Sequence, residues 1–227
     1  MKIPKIFVLF LSFILSLSSL FGCNNNSLKN NVSELRKDVF LGQLECENGQ
    51  TLTVKGACGF IEKPYVLDGK TGDLVGFLKF NLSGDVSENV SYSLAFTYDD
   101  FNYKKEFAFN PTVNAFTALF EIEDFSLKEF TVNLFIGAKS YPVTLKSTVL
   151  NGVLSYEQAL EKLQENQPSL IAQKTDENGN FNAEIYMRIL VKNEYPYWYI
   201  GISHENKIKA MLMDAKTGKI LAVRDVF

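Results

Sequence analysis

The feature that most constrains the fold of this chain is a two-residue alternation of apolar and polar side chains across residues 39–149. Successive side chains of a β-strand point to opposite faces, so this period predicts strands with one buried face. Each apolar segment is short and ends in turn-forming residues, such as Asn110-Pro111 or Glu123-Asp124. The alternating apolar positions are Tyr92, Leu94, Phe96, Tyr98, Phe107, Phe109, Phe116, Ala118, Phe120, Ile122, Phe130, Val132, Leu134, Ile136, Val143 and Leu145.

Seven or eight such strands fit within residues 39–150 when the segments Thr51–Val54 and Leu74–Phe80 are included. Strands with one apolar face need a second sheet to cover that face, so we expect an antiparallel, immunoglobulin-like sandwich there. The 19 Phe and 10 Tyr of the chain supply large apolar side chains for its core. The strand order does not follow from the pattern.

The period changes to that of a helix after residue 154. Ser155 and Gln158 form a capping box, which marks the start of a helix. Apolar side chains between Tyr156 and Leu163 recur at helical spacing, and Pro168 ends the segment. We therefore expect an α+β protein, mainly β overall, in which one helix packs on a second, antiparallel sheet. The strand-like segments of that sheet lie at about 182–192, 197–203, 207–214 and 219–224.

Three features of the last seventy or so residues occur in a characteristic order. The helix around Tyr156–Leu163 precedes the aromatic segment Tyr197-Trp198-Tyr199-Ile200, and the strand-turn-strand segment Met213–Leu221 follows it with Asp214, Thr217 and Gly218 in the turn. In these features, residues 153–227 resemble the PepSY domain family. The resemblance implies an extracytoplasmic module with an inhibitory or regulatory role toward peptidases, and a binding function rather than catalysis.

The N-terminus is typical of an export signal. Lys2 and Lys5 precede an apolar run, Ile6–Phe21, which is shorter than the ~20 residues of a membrane-spanning helix. The next segment, Leu20-Phe21-Gly22-Cys23, resembles the lipobox of bacterial lipoproteins, although a small residue is usual where Phe21 stands. The resemblance implies cleavage after residue 22 and a diacylglycerol on Cys23, which would anchor the protein to the cell membrane, facing outside the cytoplasm. An ordinary secretory peptide cut near Ser18-Ser19 is the alternative.

The segment after the signal is polar, and we predict a flexible tether over residues 23–38, with a short helix at Val32–Lys37 as an alternative. Without the two lysines of residues 1–22, the chain has 21 basic and 26 acidic side chains, a net charge near −5. This charge argues against binding of nucleic acid.

Cys46 and Cys58 give two predictions that exclude each other. Export permits a disulfide between them, whereas Asn48-Gly49 is a signal for a β-hairpin turn. In the hairpin, Cys58 would lie about 23 Å along the strand from the partner of Cys46, and bridged Cα atoms must lie within about 7 Å of each other. Both alternatives stay open from the sequence.

Residues that could carry chemistry are few. His204 is the only histidine and lies in a polar turn, without evident partners for a triad or a metal site. The carboxylate pairs Asp99-Asp100 and Glu121/Glu123 fall in a turn and on an outward strand face, which is typical of solvated charge. We therefore predict no catalytic residues, no metal and no cofactor.

A candidate binding face follows from the alternation in the C-terminal sheet. Trp198, Ile200 and Ile202 should face the helix, together with Ile185, Met187, Ile189 and Val191 of the preceding strand. Their neighbours then form an open face, unless the sandwich covers it. The residues of this face, called the tyrosine face below, are Tyr186, Arg188, Tyr197 and Tyr199.

The leading functional hypothesis is a lipid-anchored envelope protein that engages or inhibits an exported protein or peptide, such as a protease, through this face. The alternative is an adhesion or carbohydrate- and wall-binding lipoprotein that uses exposed aromatic side chains of the sandwich. The identity of the partner and the oligomeric state do not follow from the sequence.

Overall fold

The computed structural model describes residues 26–47, 49–64, 71–205 and 207–226. Export cleavage and lipidation at Cys23 concern residues outside these ranges. The helices of the described part are α1 (Asn26–Lys29), α2 (Tyr156–Asn166) and α3 (Pro168–Gln173). The strands are β1 (Val32–Glu45), β2 (Thr51–Glu62), β3 (Leu74–Gly84), β4 (Tyr92–Tyr98), β5 (Phe101–Glu106), β6 (Ala108–Asn110), β7 (Ala115–Glu121), β8 (Glu129–Ile136), β9 (Lys139–Ser147), β10 (Glu184–Lys192), β11 (Tyr195–His204), β12 (Lys207–Asp214) and β13 (Ile220–Val226).

The first nine strands form a continuous antiparallel sheet that curls on itself. Its order is β6-β7-β3-β2-β1, and β1 then pairs through Phe40 and Leu41 with β9, which continues to β8, β4 and β5. The concave side encloses a core rich in phenylalanine, in which Phe40 and Phe80 are fully buried. The mainly β character is confirmed, but a sandwich of two separate sheets is not, because the long strand β1 connects the two halves without a break.

The last four strands form the second part of the same sheet, in the order β13-β12-β11-β10, with antiparallel pairing throughout. Helix α2 packs on one face of them and contributes Ala159, Leu160 and Leu163 to a second core. As predicted, that core also contains the inward residues of β10 and β11. These are Ile185, Met187, Ile189, Trp198, Ile200 and Ile202. Val191, also predicted to face the helix, is only partly buried and lies outside this core.

Strand β1 replaces the predicted tether over most of residues 26–38. Its first residues pair in parallel with β10, from Val32 opposite Ile185 to Arg36 opposite Arg188. Leu28 of α1, with Val32 and Leu35 of β1, is buried in the second core. The tether, the alternative helix at Val32–Lys37 and the domain boundary before residue 39 are therefore wrong. The cause is long-range pairing with β10, about 150 residues later, which overrides the polar local composition.

The disulfide prediction is also wrong, because Cys46 and Cys58 are both free. The predicted β1–β2 hairpin forms, but its loop has three residues instead of two. The Cys46 amide donates to the Gln50 carbonyl oxygen at 2.8 Å and closes this loop. Gly49 in this loop has a φ of +79°, which glycine adopts without strain. Cys58 lies far along β2, opposite Asp38. Burial raises the pKa of its thiol to about 12, so this thiol stays protonated at neutral pH.

Candidate functional site

The tyrosine face lies on β10 and β11, on the side of the sheet away from α2. The strand register places Tyr186 opposite Gly201, Arg188 opposite Tyr199, and Leu190 opposite Tyr197. None of the four predicted face residues belongs to either hydrophobic core. The curled sheet therefore does not bury this face in its core, which was the competing expectation.

Tyr186 is the innermost residue of the face, and only 6 % of its surface is exposed. Its ring occupies the space above Gly201, where an added Cβ would lie 2.0 Å from the tyrosine Cζ. The Tyr199 ring packs beside it, at a centroid distance of 6.1 Å. The absence of a side chain at Gly201 thus creates the seat for Tyr186, an arrangement in which an aromatic ring covers a strand glycine.

Arg188 is held by Glu34, a residue that the sequence analysis assigned to the tether. The guanidinium Nε donates to Glu34 Oε1 at 2.7 Å, and a second contact joins Nη2 to Oε2. The Arg188 guanidinium also lies over the Tyr186 ring, at 5.4 Å from its centroid. Such a two-pronged pair fixes the arginine in one orientation. Arg188 therefore supports the face from within, and much of its charge is neutralised there.

A second arginine completes this ionic cluster. Arg36 lies opposite Arg188 in the parallel β1–β10 pair, and its Nη2 is 3.9 Å from Glu34 Oε1. Burial lowers the pKa of Arg36, Glu34 opposes that effect, and Arg188 adds to it. Glu34 is buried between the two cations. No local pattern in the sequence marked Glu34 or Arg36, because only the β1–β10 pairing brings them to the face.

The accessible part of the face extends from Tyr197 and Tyr199, both half-buried, toward β12 and β13. There, a shallow depression of about 280 Å³ opens beside Tyr199. The small side chains of Ala210 and Ala222 leave this space, with Ala222 opposite Leu212 across the β12–β13 pair. The sequence analysis missed these residues, although Ala210 and Leu212 alternate with the buried Met211 and Met213. The lining residues are Tyr199, Ala210, Met211, Leu212, Ala222, Val223 and Arg224.

The Asp214–Gly218 turn joins β12 to β13 and docks on α2. Asp214 Oδ1 accepts hydrogen bonds from the backbone amides of Lys216 and Thr217, each at 2.9 Å. These hydrogen bonds, of which the one from Thr217 has the largest effect, lower the pKa of Asp214. Gly218 has a φ of +75° and lies so close to Lys162 that an added Cβ would be 2.4 Å from the lysine Cγ. The Asn166 amide donates to the Gly218 carbonyl oxygen at 3.1 Å. The motif therefore sets the position of β13 relative to the helix.

The other landmarks of the C-terminal segment are structural. The Ser155–Gln158 capping box forms in both directions, and the Trp198 indole donates to the carbonyl oxygen of Leu154 at 3.1 Å. Pro168 begins α3 immediately after the end of α2. Helix, tryptophan strand and turn are thereby fastened to one another, which explains why they occur together in order.

The remaining candidate residues lie in turns or pair with a nearby side chain. His204 Nδ1 lies 2.6 Å from the carbonyl oxygen of Asn182, and Asp99 and Asp100 are exposed turn residues with positive φ. Glu121 pairs with Lys63, which lowers the pKa of its carboxyl group. Within the ranges that the structure describes, no group of His, Cys, Asp and Glu side chains is arranged to hold a metal ion.

The aromatic residues of the curled sheet are mostly internal, which bears on the carbohydrate-binding alternative. Phe40, Phe80 and Phe125 are among its largest fully buried side chains, and further phenylalanines line the same core. Phe101, which is 67 % exposed, and Phe109 are the large aromatic side chains that this sheet presents outward in the described part of the chain. Stacking on a sugar would depend on these two rings.

A helix laid across one face of a four-stranded antiparallel sheet, and tied to it by an Asp-Thr-Gly turn, defines a small α+β domain. Residues 153–224 match the family model of the PepSY domain, described as peptidase propeptide and YPEB domain. The chain thus contains a PepSY domain, as the resemblance implied, over about a third of its length. Comparison with curated proteins and with solved structures finds no match. No helix within the described ranges has the length and apolar character needed to cross a membrane.

Proposed function

We propose that this protein is a lipid-anchored extracytoplasmic regulator that binds another exported protein, such as a protease, through the tyrosine face of its PepSY domain. PepSY domains are associated with protease-inhibitory or regulatory roles in the extracytoplasmic space. The proposal is a binding role, in which the protein occupies or restrains its partner rather than transforming a substrate.

The observation that carries the proposal is the half-exposed pair Tyr197 and Tyr199, which lies outside both cores on a sheet whose other face packs against α2. Tyrosine contributes a large contact area at little cost in conformational entropy, and it is enriched in protein interfaces. The support beneath it, Tyr186 over Gly201 and Arg188 on Glu34, is already assembled in the free protein. A face that is already ordered in the free protein loses less conformational entropy on binding.

The anchor part of the proposal concerns Cys23. Helix α1 begins at Asn26, so only two residues lie between the proposed lipidated cysteine and the folded body, and the three Cα-to-Cα steps reach at most about 11 Å. The body would then lie against the membrane surface rather than on a long tether. Labelling of growing cells with a palmitate analogue tests this, because the label should enter the wild-type protein and be absent from Cys23→Ser. An unlabelled wild-type protein would instead support cleavage near Ser18-Ser19.

Capture of the partner is tested by crosslinking in cells and purification of the anchored protein. The Tyr197→Ser/Tyr199→Ser double variant should lose a specific exported protein that the wild type retains, because two interface rings are removed while both cores stay intact. The matched control, Phe101→Ser/Phe109→Ser, removes the two exposed aromatic side chains of the curled sheet and should retain the partner.

Two results would count against the proposal. Equal recovery of the same proteins by wild type and the tyrosine variant would remove the face from the interaction. Recovery of wall polysaccharide that disappears only in the Phe101→Ser/Phe109→Ser control would move the function to the curled sheet, as in the carbohydrate-binding alternative.

A further inference from the structure

The outer edge of β13 is unusually open for an edge strand. In the described part of the chain, β13 pairs only with β12. It is seven residues long and contains no proline, and its Leu221 and Val223 are 47 % and 45 % exposed. A row of unpaired backbone amides and carbonyls beside apolar side chains is a template for another strand.

The other two ends of the sheet are protected, which makes the contrast informative. Strand β6 has only three residues. Strand β5 ends in the charged residues Lys104, Lys105 and Glu106, and the Lys105 ammonium group donates to the Leu119 carbonyl oxygen of β7 at 2.8 Å. Short length, charge and coverage are the usual ways to prevent edge pairing. Strand β13 carries two charges, Arg224 and Asp225, and its pairing with β12 is irregular between Leu212 and Met213, but it is longer than β6 and keeps exposed apolar side chains along its edge.

The depression beside Tyr199 reaches this edge on the tyrosine face. Ala222 and Arg224 of β13 both line it, with Arg224 opposite Ala210 across the β12–β13 pair. Alternate side chains of an added strand would point to the same face as Ala222 and Arg224. One apolar side chain of a bound strand could therefore enter the depression, with Tyr199 on one side and Arg224 on the other.

Charge identifies the chemistry of the occupant. Residues 207–226 carry five basic and two acidic side chains, a net charge of +3 in a chain of net charge −3. Lys209 pairs with Asp225, and the Asp214 carboxylate is engaged by its own turn. Arg224 is exposed and forms no ion pair with another described residue. The two charges of β13 itself, Arg224 and Asp225, balance, so the exposed Arg224 beside the depression is the charge that attracts an acidic group.

From these observations we infer that β13 accepts an extended acidic segment of the partner as an additional strand, with one apolar side chain of that segment in the depression beside Tyr199. This inference rests on the proposed function and specifies how the partner is recognised. Main-chain hydrogen bonds provide affinity in this mode, and alternate side chains provide specificity.

The first test uses the purified full-length protein in detergent and two labelled hexapeptides, Glu-Val-Glu-Val-Glu-Val and Lys-Val-Lys-Val-Lys-Val. Fluorescence anisotropy should show tighter binding of the acidic peptide. Arg224→Glu should weaken that binding by about five- to tenfold, because an attractive exposed charge becomes repulsive. Lys104→Glu makes the same charge change on β5 and should bind as the wild type does. Equal affinity for both peptides would overturn the inference.

Hydrogen exchange locates the bound peptide. The acidic peptide should slow exchange in residues 220–226, and Ala222→Phe, which fills the depression from an exposed position, should remove this protection while circular dichroism stays unchanged. Protection confined to another edge would contradict the inference. A dimer of the free protein that Arg224→Glu dissociates would also overturn it, by identifying a second copy as the occupant.

The crosslinking experiment separates this inference from the proposed function. Loss of the partner in both Arg224→Glu and the Tyr197→Ser/Tyr199→Ser variant supports both. Loss in the tyrosine variant alone overturns the inference and leaves the proposed function standing, whereas loss in neither overturns both.

Discussion

At the residue scale, the candidate site depends on three side-chain contacts. Gly201 leaves space for the Tyr186 ring, Glu34 holds Arg188, and Tyr199 closes the cluster on its other side. Each contact joins residues from different strands, and Glu34 comes from the opposite end of the chain. Tyr197 and Tyr199 pack above these contacts, so substitutions at Gly201 or Glu34 should lower stability more than they weaken partner binding.

Gly201→Ala should destabilise the protein by about 1–3 kcal/mol, because the new methyl group occupies the seat of the Tyr186 ring. Urea denaturation of the single variants and of Tyr186→Ser/Gly201→Ala measures the coupling. The double variant should lose less than the sum of the two single variants, since the clash disappears with the ring. Strict additivity would show that Tyr186 and Gly201 do not share this seat.

Glu34→Gln should cost about 2 kcal/mol of unfolding free energy, because it leaves Arg188 and Arg36 together without the carboxylate between them. This figure lies below that of a fully buried pair, since about a third of the Arg188 side chain is exposed. Glu129→Gln removes one partner of an exposed pair with Lys146 and should change stability by less than about 1 kcal/mol. Equal losses in the two variants would refute a special role for Glu34.

At the scale of elements, the turn between β12 and β13 shows how a short motif positions a whole strand. Asp214 organises the turn backbone, Gly218 provides the positive φ, and Asn166 attaches the turn to α2. The exposed edge of β13 therefore has a defined position relative to the helix. The motif is common in hairpins, and here it also contacts the helix through Lys162 and Asn166.

The turn predicts a pH dependence of stability. Hydrogen bonds from the turn amides hold the folded-state pKa of Asp214 below its ordinary value, so its contribution is present above the unfolded pKa of about 3.9 and is lost as pH falls through the folded pKa. The difference in unfolding free energy between the wild type and Asp214→Ala should be below about 1 kcal/mol at pH 7, because the group is mostly exposed. It should shrink below pH 4. A difference that stays constant from pH 7 to pH 2.5 would contradict this origin.

At the scale of the whole molecule, β1 is the strand that joins the two parts of the sheet, each of which covers its own core. Its first part pairs with β10 and carries Leu35 into the core under α2, and after the bulge between Arg36 and Asp38 it carries Phe40 into the core of the curled sheet. The PepSY domain thus obtains an additional strand from the N-terminus. The folded body extends almost to the residue proposed to carry the lipid.

Shared use of β1 predicts that both cores unfold together. Leu35→Ala should lower the unfolding free energy by about 3 kcal/mol, the usual cost of a buried leucine, and it should shift a single transition rather than expose one part early. Tryptophan fluorescence monitors Trp198 in one core, and hydrogen exchange monitors the curled sheet. Separate midpoints for the two probes would show that β1 does not couple them.

The sequence by itself determined the local features of this protein. Alternation identified the strands and the residues of β10 and β11 that face α2, and the capping box located the helix, because these patterns arise between residues close in the chain. The tertiary structure alone decided the curl of the sheet, the choice of the β1–β2 hairpin over a Cys46–Cys58 disulfide, and the inclusion of residues 26–38 in the fold. The contact of Glu34 with Arg188 and the edge position of β13 also depend on the tertiary structure. Both result from strand pairing between distant parts of the chain, which depends on the packing of the whole chain and leaves little signal in any one segment.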